Sequence, residues 1–134
     1  MKSTSRWIKN YQSVVDNGRN HSLVLDLPDR QNGDDFGPTA LELAVMSLSG
    51  CISTIFAMMA AKMRIEFSDL QVDVIAEKPD GAPTIDSAFC DFRIRSEVPE
   101  SKIRKCLENT FKTCPVGVLF GQAGVMMDYN LTVL

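Results

Sequence analysis

Residues 37–61 read GPTALELAVMSLSGCISTIFAMMAA, and the last nineteen of these positions, 43–61, carry no charged residue. Thr39, followed three residues later by Glu42, has the form of a capping box, which predicts that a long helix begins near Thr39. A helix that is apolar on all sides is normally buried inside protein. Because the chain has only 134 residues, complete burial of this helix would need a sheet on one side and a second subunit on the other.

The uncharged run is also long enough to span a membrane. Its centre, however, contains Ser47, Ser49, Gly50, Ser53 and Thr54, and no flanking basic cluster would anchor it. We therefore expect a protein that does not enter a membrane. The N-terminus lacks the apolar run and cleavage site of a secretory signal. These features predict a cytoplasmic protein whose cysteines are reduced by default.

The composition is typical of one globular domain over residues 1–134, with 45% hydrophobic and 23% charged residues. The net charge is −3 and the 14 Lys and Arg are spread along the chain, so nucleic-acid binding is not expected. The four cysteines form no CxxC pair and His21 is the single histidine, so a zinc site lacks its usual ligand pairs. We expect no metal, and we expect His21 to be a strand-surface residue.

The remaining sequence mixes strand and helix patterns, which indicates an α+β protein. Residues 28–38 are too polar and turn-rich to be buried, so they are predicted to form a loop. Cys90 alternates onto the same side of its strand as Phe92 and Ile94, and we expect it to point inward and to be structural. The predicted strands are residues 6–10, 11–15, 22–27, 70–77, 89–98 and 125–133, and the later helices are predicted over residues 99–114 and 116–121.

A chemical role is considered for Cys51 and Cys114. Cys51 lies in the long helix beside a stripe of small residues, which either lets another helix pack closely or opens a pocket that exposes a thiol. Cys114 lies at a helix end before Pro115, where a side chain can be both exposed and well positioned. A pairing of Cys106 with Cys114 is also open, although a continuous helix would separate them by about 12 Å.

Two motifs resemble those of the OsmC/Ohr family. Residues 37–51, GPTALELAVMSLSGC, are similar to the central-helix motif of that family, and Cys114-Pro115-Val116 resembles its second-cysteine motif. The order of elements agrees over almost the whole chain. The resemblance implies an α+β fold in which antiparallel sheets pack around a long buried central helix and a second helix. It also implies an intertwined homodimer with a pair of active sites at the interface.

The resemblance further implies a thiol-dependent peroxidase that reduces organic hydroperoxides without a cofactor. Cys51 would be the peroxidatic thiol, Cys114 would resolve its sulfenic acid as a disulfide, and an external dithiol would reduce that disulfide. Family members stabilise the thiolate with an arginine held by a glutamate. The candidates here are Arg19 and Glu42.

Alternatives remain for both charged residues and for the function. The family glutamate stands ten residues before the cysteine, whereas Glu42 precedes Cys51 by nine, a shift of about 100° around a helix. Glu42 could serve only as the capping partner of Thr39, and Arg19 could be a solvated turn residue. The same dimeric scaffold could instead bind a small ligand, with the cysteines only lining the pocket, or sense oxidation without turnover.

Overall fold

The computed structural model describes residues 1–134, and it confirms the α+β class. Six strands and three α-helices divide between two compact units, Met1–Ala44 and Val45–Leu134, and the first helix begins in the first unit and continues in the second. The elements are β1 (Thr4–Lys9), β2 (Gln12–Asp16), β3 (Ser22–Leu25), a 3-10 turn (Asp29–Gln31), α1 (Ala40–Met63), β4 (Ser68–Glu77), β5 (Ser87–Arg95), α2 (Glu100–Thr113), α3 (Pro115–Gln122) and β6 (Met126–Val133).

The first unit contains an antiparallel sheet with the order β1-β2-β3. The loop predicted after β3 is confirmed, and it is organised by the buried carboxylate of Asp26. This carboxylate accepts hydrogen bonds from the backbone N–H groups of Leu27, Asp34 and Phe36. Burial alone would raise the pKa of Asp26, but these donors together lower it.

The second unit contains a sheet with the order β4-β5-β6. The hairpin of β4 and β5 is antiparallel, whereas β5 and β6 are parallel. The expectation of purely antiparallel sheets is therefore wrong for this last pair. The reason is the connection, because the chain between Arg95 and Met126 crosses over through α2 and α3, and a crossover of that length can return a strand in the same direction.

The core of the second unit forms where α1 and α2 pack on the inward face of β5. The burial pattern of β5 confirms the predicted alternation, since Cys90, Phe92 and Ile94 are all fully buried. Phe56 of α1 packs on this face, with its ring centroid 4.8 Å from that of Phe92. The buried residues of the two helices are Leu48, Ile52, Phe56 and Ala60 of α1 and Ile103, Cys106, Leu107 and Thr110 of α2.

Only one face of α1 is buried in the single chain, so complete burial of this helix is not achieved there. Met46 and Met58 lie on the uncovered side and are about half exposed, at 55% and 52%. By length and composition alone α1 could cross a membrane, with a mean hydropathy of 1.9 over its most apolar window. One such helix is weak evidence for membrane insertion, because the core helix of a soluble protein meets the same criterion.

Candidate active site

Cys51 lies on α1 next to the buried stripe of that helix. Leu48 and Ile52 on either side of it are fully buried, whereas Cys51 itself is half-buried. Its position one step around the helix therefore leaves the thiol at the edge of the core, partly accessible from outside.

Cys114 lies at the junction of two helices, where it is both the C-cap residue of α2 and the N-cap residue of α3. Its extended backbone (φ −66°, ψ 110°) breaks the helix at the residue before Pro115, where proline disfavours helical geometry. Pro115 then starts α3, since proline is well suited to the first turn of a helix. The Cys114 side chain is fully buried, so the expectation that it could be exposed is wrong. Tight packing at the junction of α2 and α3 covers the thiol.

The two thiols are in contact. The Cys114 thiol donates a hydrogen bond to Sγ of Cys51, with the sulfur atoms 3.0 Å apart, and both cysteines are free. A disulfide bond is about 2.05 Å long, so a shift of roughly 1 Å would bring the two sulfurs to bonding distance. The two sulfurs are thus close enough for a disulfide to form after a small movement.

The environment of Cys114 keeps its proton in place. Burial, the hydrogen bond to Cys51 and the charge of Cys51 together raise the pKa of Cys114 to about 11. The backbone N–H groups of Gly117 and Val116 act in the opposite direction. At neutral pH Cys114 is therefore a neutral thiol that donates to Cys51.

Gly117 is a residue of this site that sequence reasoning missed. Its backbone N–H donates to Sγ of Cys114 over 3.4 Å, in the manner of a helix N-cap with sulfur as the acceptor. A Cβ atom at this position would lie 3.5 Å from Sγ of Cys114 and 3.9 Å from Cδ1 of Leu48, which are ordinary contacts. The available signal was Pro115 after Cys114, because a proline at the first helical position marks the preceding residue as an N-cap.

Cys90 and Cys106 are not placed as redox partners. Both are fully buried, and burial raises the pKa of each thiol, that of Cys90 to about 11 with a further contribution from the charge of Cys114. The alternative pairing of Cys106 with Cys114 is excluded because α2 is continuous from Glu100 to Thr113. Eight residues of helix separate the two cysteines by about 12 Å.

Glu42 forms the predicted capping box at the start of α1. The backbone N–H of Thr39 donates to Oε2 of Glu42 over 2.7 Å, and the backbone N–H of Glu42 donates to Oγ1 of Thr39 over 3.1 Å. The capping function of Glu42 is confirmed, and a catalytic function remains a prediction.

Arg19 lies in the exposed turn between β2 and β3, where Asn17 organises the backbone. The N–H of Arg19 donates to Oδ1 of Asn17, and the side chain of Asn17 is also hydrogen-bonded to Nδ1 of His21. The Arg19 side chain is exposed. A contribution of Arg19 to catalysis remains a prediction.

No group of three or more His, Cys, Asp or Glu side chains lies close enough together to hold a metal ion. A groove of about 360 Å³ is lined by Gly117 together with Phe111, Met127 and Tyr129. The rings of Phe111 and Tyr129 are stacked, with centroids 4.9 Å apart. The groove is mainly apolar and borders Cys114 through the backbone of Gly117.

Comparison with known families decides the relationship of this chain. Residues 32–130 match the family model of OsmC-like proteins, which covers more than half of the sequence and both cysteines of the pair. The chain belongs to the OsmC-like family. No curated protein matches it significantly.

Solved structures of OsmC-like proteins have the same fold. An OsmC-like protein from Mycoplasma pneumoniae matches with a TM-score of 0.87 and 19% identity over 99% of this chain and 96% of that one. An OsmC-like protein of unknown function from Vibrio cholerae matches with a TM-score of 0.81 and 10% identity over 98% and 97%. An organic hydroperoxide resistance protein from Elizabethkingia anophelis matches with a TM-score of 0.72 and 14% identity over 98% and 92%. At these identities the similarity establishes the fold alone.

Proposed function

We propose that this OsmC-like protein is a thiol-dependent peroxidase that reduces organic hydroperoxides. The observation that carries the proposal is the 3.0 Å contact between the sulfurs of Cys51 and Cys114. Membership of the OsmC-like family and the name of the Elizabethkingia relative support a redox role connected with peroxides.

In the first step, the thiolate of Cys51 attacks the terminal oxygen of the hydroperoxide. The O–O bond breaks, the alkoxide leaves and takes a proton to become the alcohol, and Cys51 becomes a sulfenic acid. Cys51 suits this step better than Cys114 because it is half-buried, whereas Cys114 is fully buried. The peroxide can reach only the sulfur that is open to the surroundings.

In the second step, the sulfur of Cys114 attacks the sulfur of Cys51. The S–O bond breaks, hydroxide leaves and is protonated to water, and a disulfide joins the two residues. The thiol proton of Cys114, which already points at Cys51, is available to the departing oxygen. An external dithiol then restores both thiols by exchange and is itself oxidised to a disulfide. No bound metal or organic cofactor is needed for this cycle.

The proposal includes a cytoplasmic homodimer that binds neither membrane nor nucleic acid. Its support is the uncharged face of α1 that the single chain leaves uncovered, where Ala57 and Met58 are exposed. An apolar helix face of this kind is stable in water when a partner covers it. A second copy of the same chain carries a matching face.

Arg19 and Glu42 are proposed to stabilise the thiolate of Cys51, as the family pattern implies. A cation lowers the free energy of a thiolate, and a carboxylate can hold that cation in place. Glu42 would perform this function in addition to its capping hydrogen bonds, since a carboxylate has two acceptor oxygens.

The proposed reaction is tested by treating the reduced protein with cumene hydroperoxide and, separately, with hydrogen peroxide. The remaining thiols are counted and the products are mapped by mass spectrometry in wild type, Cys51→Ser and Cys114→Ser. Cys106→Ala is the matched control, because it removes a buried cysteine outside the pair. We expect rapid formation of a Cys51–Cys114 disulfide with the organic peroxide in wild type and in the control. Slow, unselective oxidation would favour a ligand-binding or redox-sensing protein instead.

A further inference from the structure

The thiol pair is asymmetric in both access and hydrogen bonding. Cys51 lies half-buried at the edge of the core, whereas Cys114 is fully buried. In addition, the sulfur of Cys114 accepts a backbone hydrogen bond at the start of α3, from Gly117. These two differences bear on how the disulfide of the proposed cycle is reduced.

We infer that the external thiol attacks Cys51 of the disulfide, and that Cys114 is the leaving group whose thiolate is stabilised by the backbone N–H of Gly117. This inference rests on the proposed function, because it concerns the reductive half of the same cycle. It assigns a further residue, Gly117, to the reaction. It also identifies Sγ of Cys51 as the sulfur to which the reductant is first bonded.

Access determines which sulfur is attacked. Thiol–disulfide exchange proceeds through attack along the S–S axis, so a thiolate that attacks Cys114 would have to approach from the side opposite Cys51. Cys114 is fully buried, and the backbone of Gly117 lies against its sulfur. A thiolate that attacks Cys51 approaches the sulfur that is open to the surroundings.

Electrons and protons balance in this direction. The thiolate of the reductant forms a bond to Sγ of Cys51, the Cys51–Cys114 bond breaks, and its electron pair leaves on Sγ of Cys114. That thiolate takes a proton from water. The second thiol of the dithiol then gives its proton to water and attacks the reductant sulfur that is bonded to Cys51. The bond between that sulfur and Cys51 breaks, Cys51 leaves as a thiolate, and the reductant closes into its own disulfide.

Burial of Cys114 opposes this departure because it raises the pKa of the thiol, whereas the backbone N–H of Gly117 assists the departure. The charge of Cys51 disfavours a thiolate at Cys114 in the reduced protein, but that charge is absent while Cys51 is part of the mixed disulfide. The N–H of Gly117 then faces the new anion over 3.4 Å at the N-terminus of α3. Hydrogen bonds to charged acceptors are stronger than those to neutral ones, so this contact strengthens as the bond breaks.

The inference is tested on protein that has been oxidised with diamide, so that the result does not depend on peroxidase activity. The Cys51–Cys114 disulfide is verified and then exposed briefly to 2-mercaptoethanol. The reaction is quenched with acid, free thiols are blocked with N-ethylmaleimide, and peptides are mapped. We expect the mixed disulfide on Cys51 and the maleimide on Cys114. A mixed disulfide on Cys114, or an equal distribution, would overturn the inference.

Two variants test the function of Gly117. Gly117→Pro removes the N–H and is expected to slow reduction by at least about tenfold, with the mixed disulfide still on Cys51. Gly117→Ala keeps the N–H and adds only ordinary contacts, so a change within about twofold is expected. Equal reduction rates in the two variants would show that the backbone N–H of Gly117 does not assist the reaction. If Gly117→Pro does not fold, the wild-type mapping decides the direction of attack.

The outcomes for the two proposals are distinguishable. Failure of cumene hydroperoxide to oxidise Cys51 would overturn the proposed peroxidase while leaving the direction of attack supported by the diamide experiment. A mixed disulfide on Cys114 would overturn the direction of attack while leaving the peroxidase intact. Absence of the Cys51–Cys114 disulfide after diamide would contradict both.

Discussion

The sulfur atoms of Cys51 and Cys114 lie 3.0 Å apart although 63 positions separate the two residues in the chain. One comes from the edge of the core on α1, and the other from the junction of α2 and α3. The contact therefore exists only when these elements are packed together. Any chemistry of the pair depends on the tertiary structure of the second unit, and not on a local sequence motif.

The two functions considered for Glu42 are separable by substitution. Glu42→Gln keeps a capping box, because glutamine can accept the same hydrogen bond from the backbone N–H of Thr39. If Glu42 also orients a catalytic cation, Glu42→Gln lowers the rate of Cys51 oxidation at least about tenfold while the free energy of unfolding stays within about 0.5 kcal/mol. Thr39→Ala is the control, expected to lower stability by about 1 kcal/mol with an unchanged rate. An unchanged rate in Glu42→Gln would limit Glu42 to capping.

Arg19 is tested in the same assay. If its guanidinium stabilises the thiolate, Arg19→Ala lowers the second-order rate of Cys51 oxidation by about tenfold or more, and Arg19→Lys recovers part of the loss. Arg30→Ala is the matched control, because Arg30 is also an exposed arginine of the first unit. Equal rates in Arg19→Ala, Arg30→Ala and wild type would show that Arg19 is an ordinary turn residue.

Stability is expected to fall at high pH because of the buried thiols. Burial, with a contribution from the charge of Cys114, raises the pKa of Cys90 from 9.0 to about 11. The unfolded chain therefore releases this proton at lower pH than the folded chain does. The resulting contribution to stability is complete below pH 9 and is lost as the pH rises through 11. For Cys90 the loss is on the order of 2 kcal/mol.

Urea unfolding between pH 8 and 11 measures this effect. Cys90→Ala is expected to flatten the decline in unfolding free energy relative to wild type, whatever its stability at neutral pH. Thr84→Ala, at an exposed position outside α1 and without a titrating group, should retain the full decline. If the unfolding free energy of Cys90→Ala and of wild type declined equally with pH, the Cys90 thiol would have the same pKa in the folded and the unfolded chain.

The uncovered face of α1 predicts self-association. Ala57 is exposed on this face in the single chain, so Ala57→Glu does not place a charge in the core of that chain. In a dimer that buries the face, the same carboxylate would lose its hydration without a partner. We expect wild type to be dimeric by light scattering and Ala57→Glu to be monomeric. Lys102→Glu, on the exposed side of α2, should remain dimeric. A monomeric wild type would refute the predicted homodimer.

Local patterns predicted most of the fold. The capping box at Thr39 located the start of α1, and the alternation around Cys90 identified the inward face of β5. The parallel pairing of β5 with β6 was not predictable in this way, because strand direction depends on a long crossover and not on local sequence.

The candidate site was predicted less completely. Family resemblance identified both cysteines, but the full burial of Cys114 depends on tertiary packing that no local pattern encodes. The backbone donor of Gly117 was also missed, because a main-chain N–H carries no side-chain signature.

The central claim is that Cys51 is the peroxidatic thiol and that Cys114 resolves it. The most direct measurement is stopped-flow oxidation of the reduced protein by cumene hydroperoxide, with the products trapped and mapped in wild type and Cys114→Ser. We predict a Cys51–Cys114 disulfide in wild type. In Cys114→Ser we predict an equally fast first step that ends in a Cys51 sulfenic acid and its overoxidised products. Oxidation at Cys114 first, or no reaction at Cys51, would contradict the account.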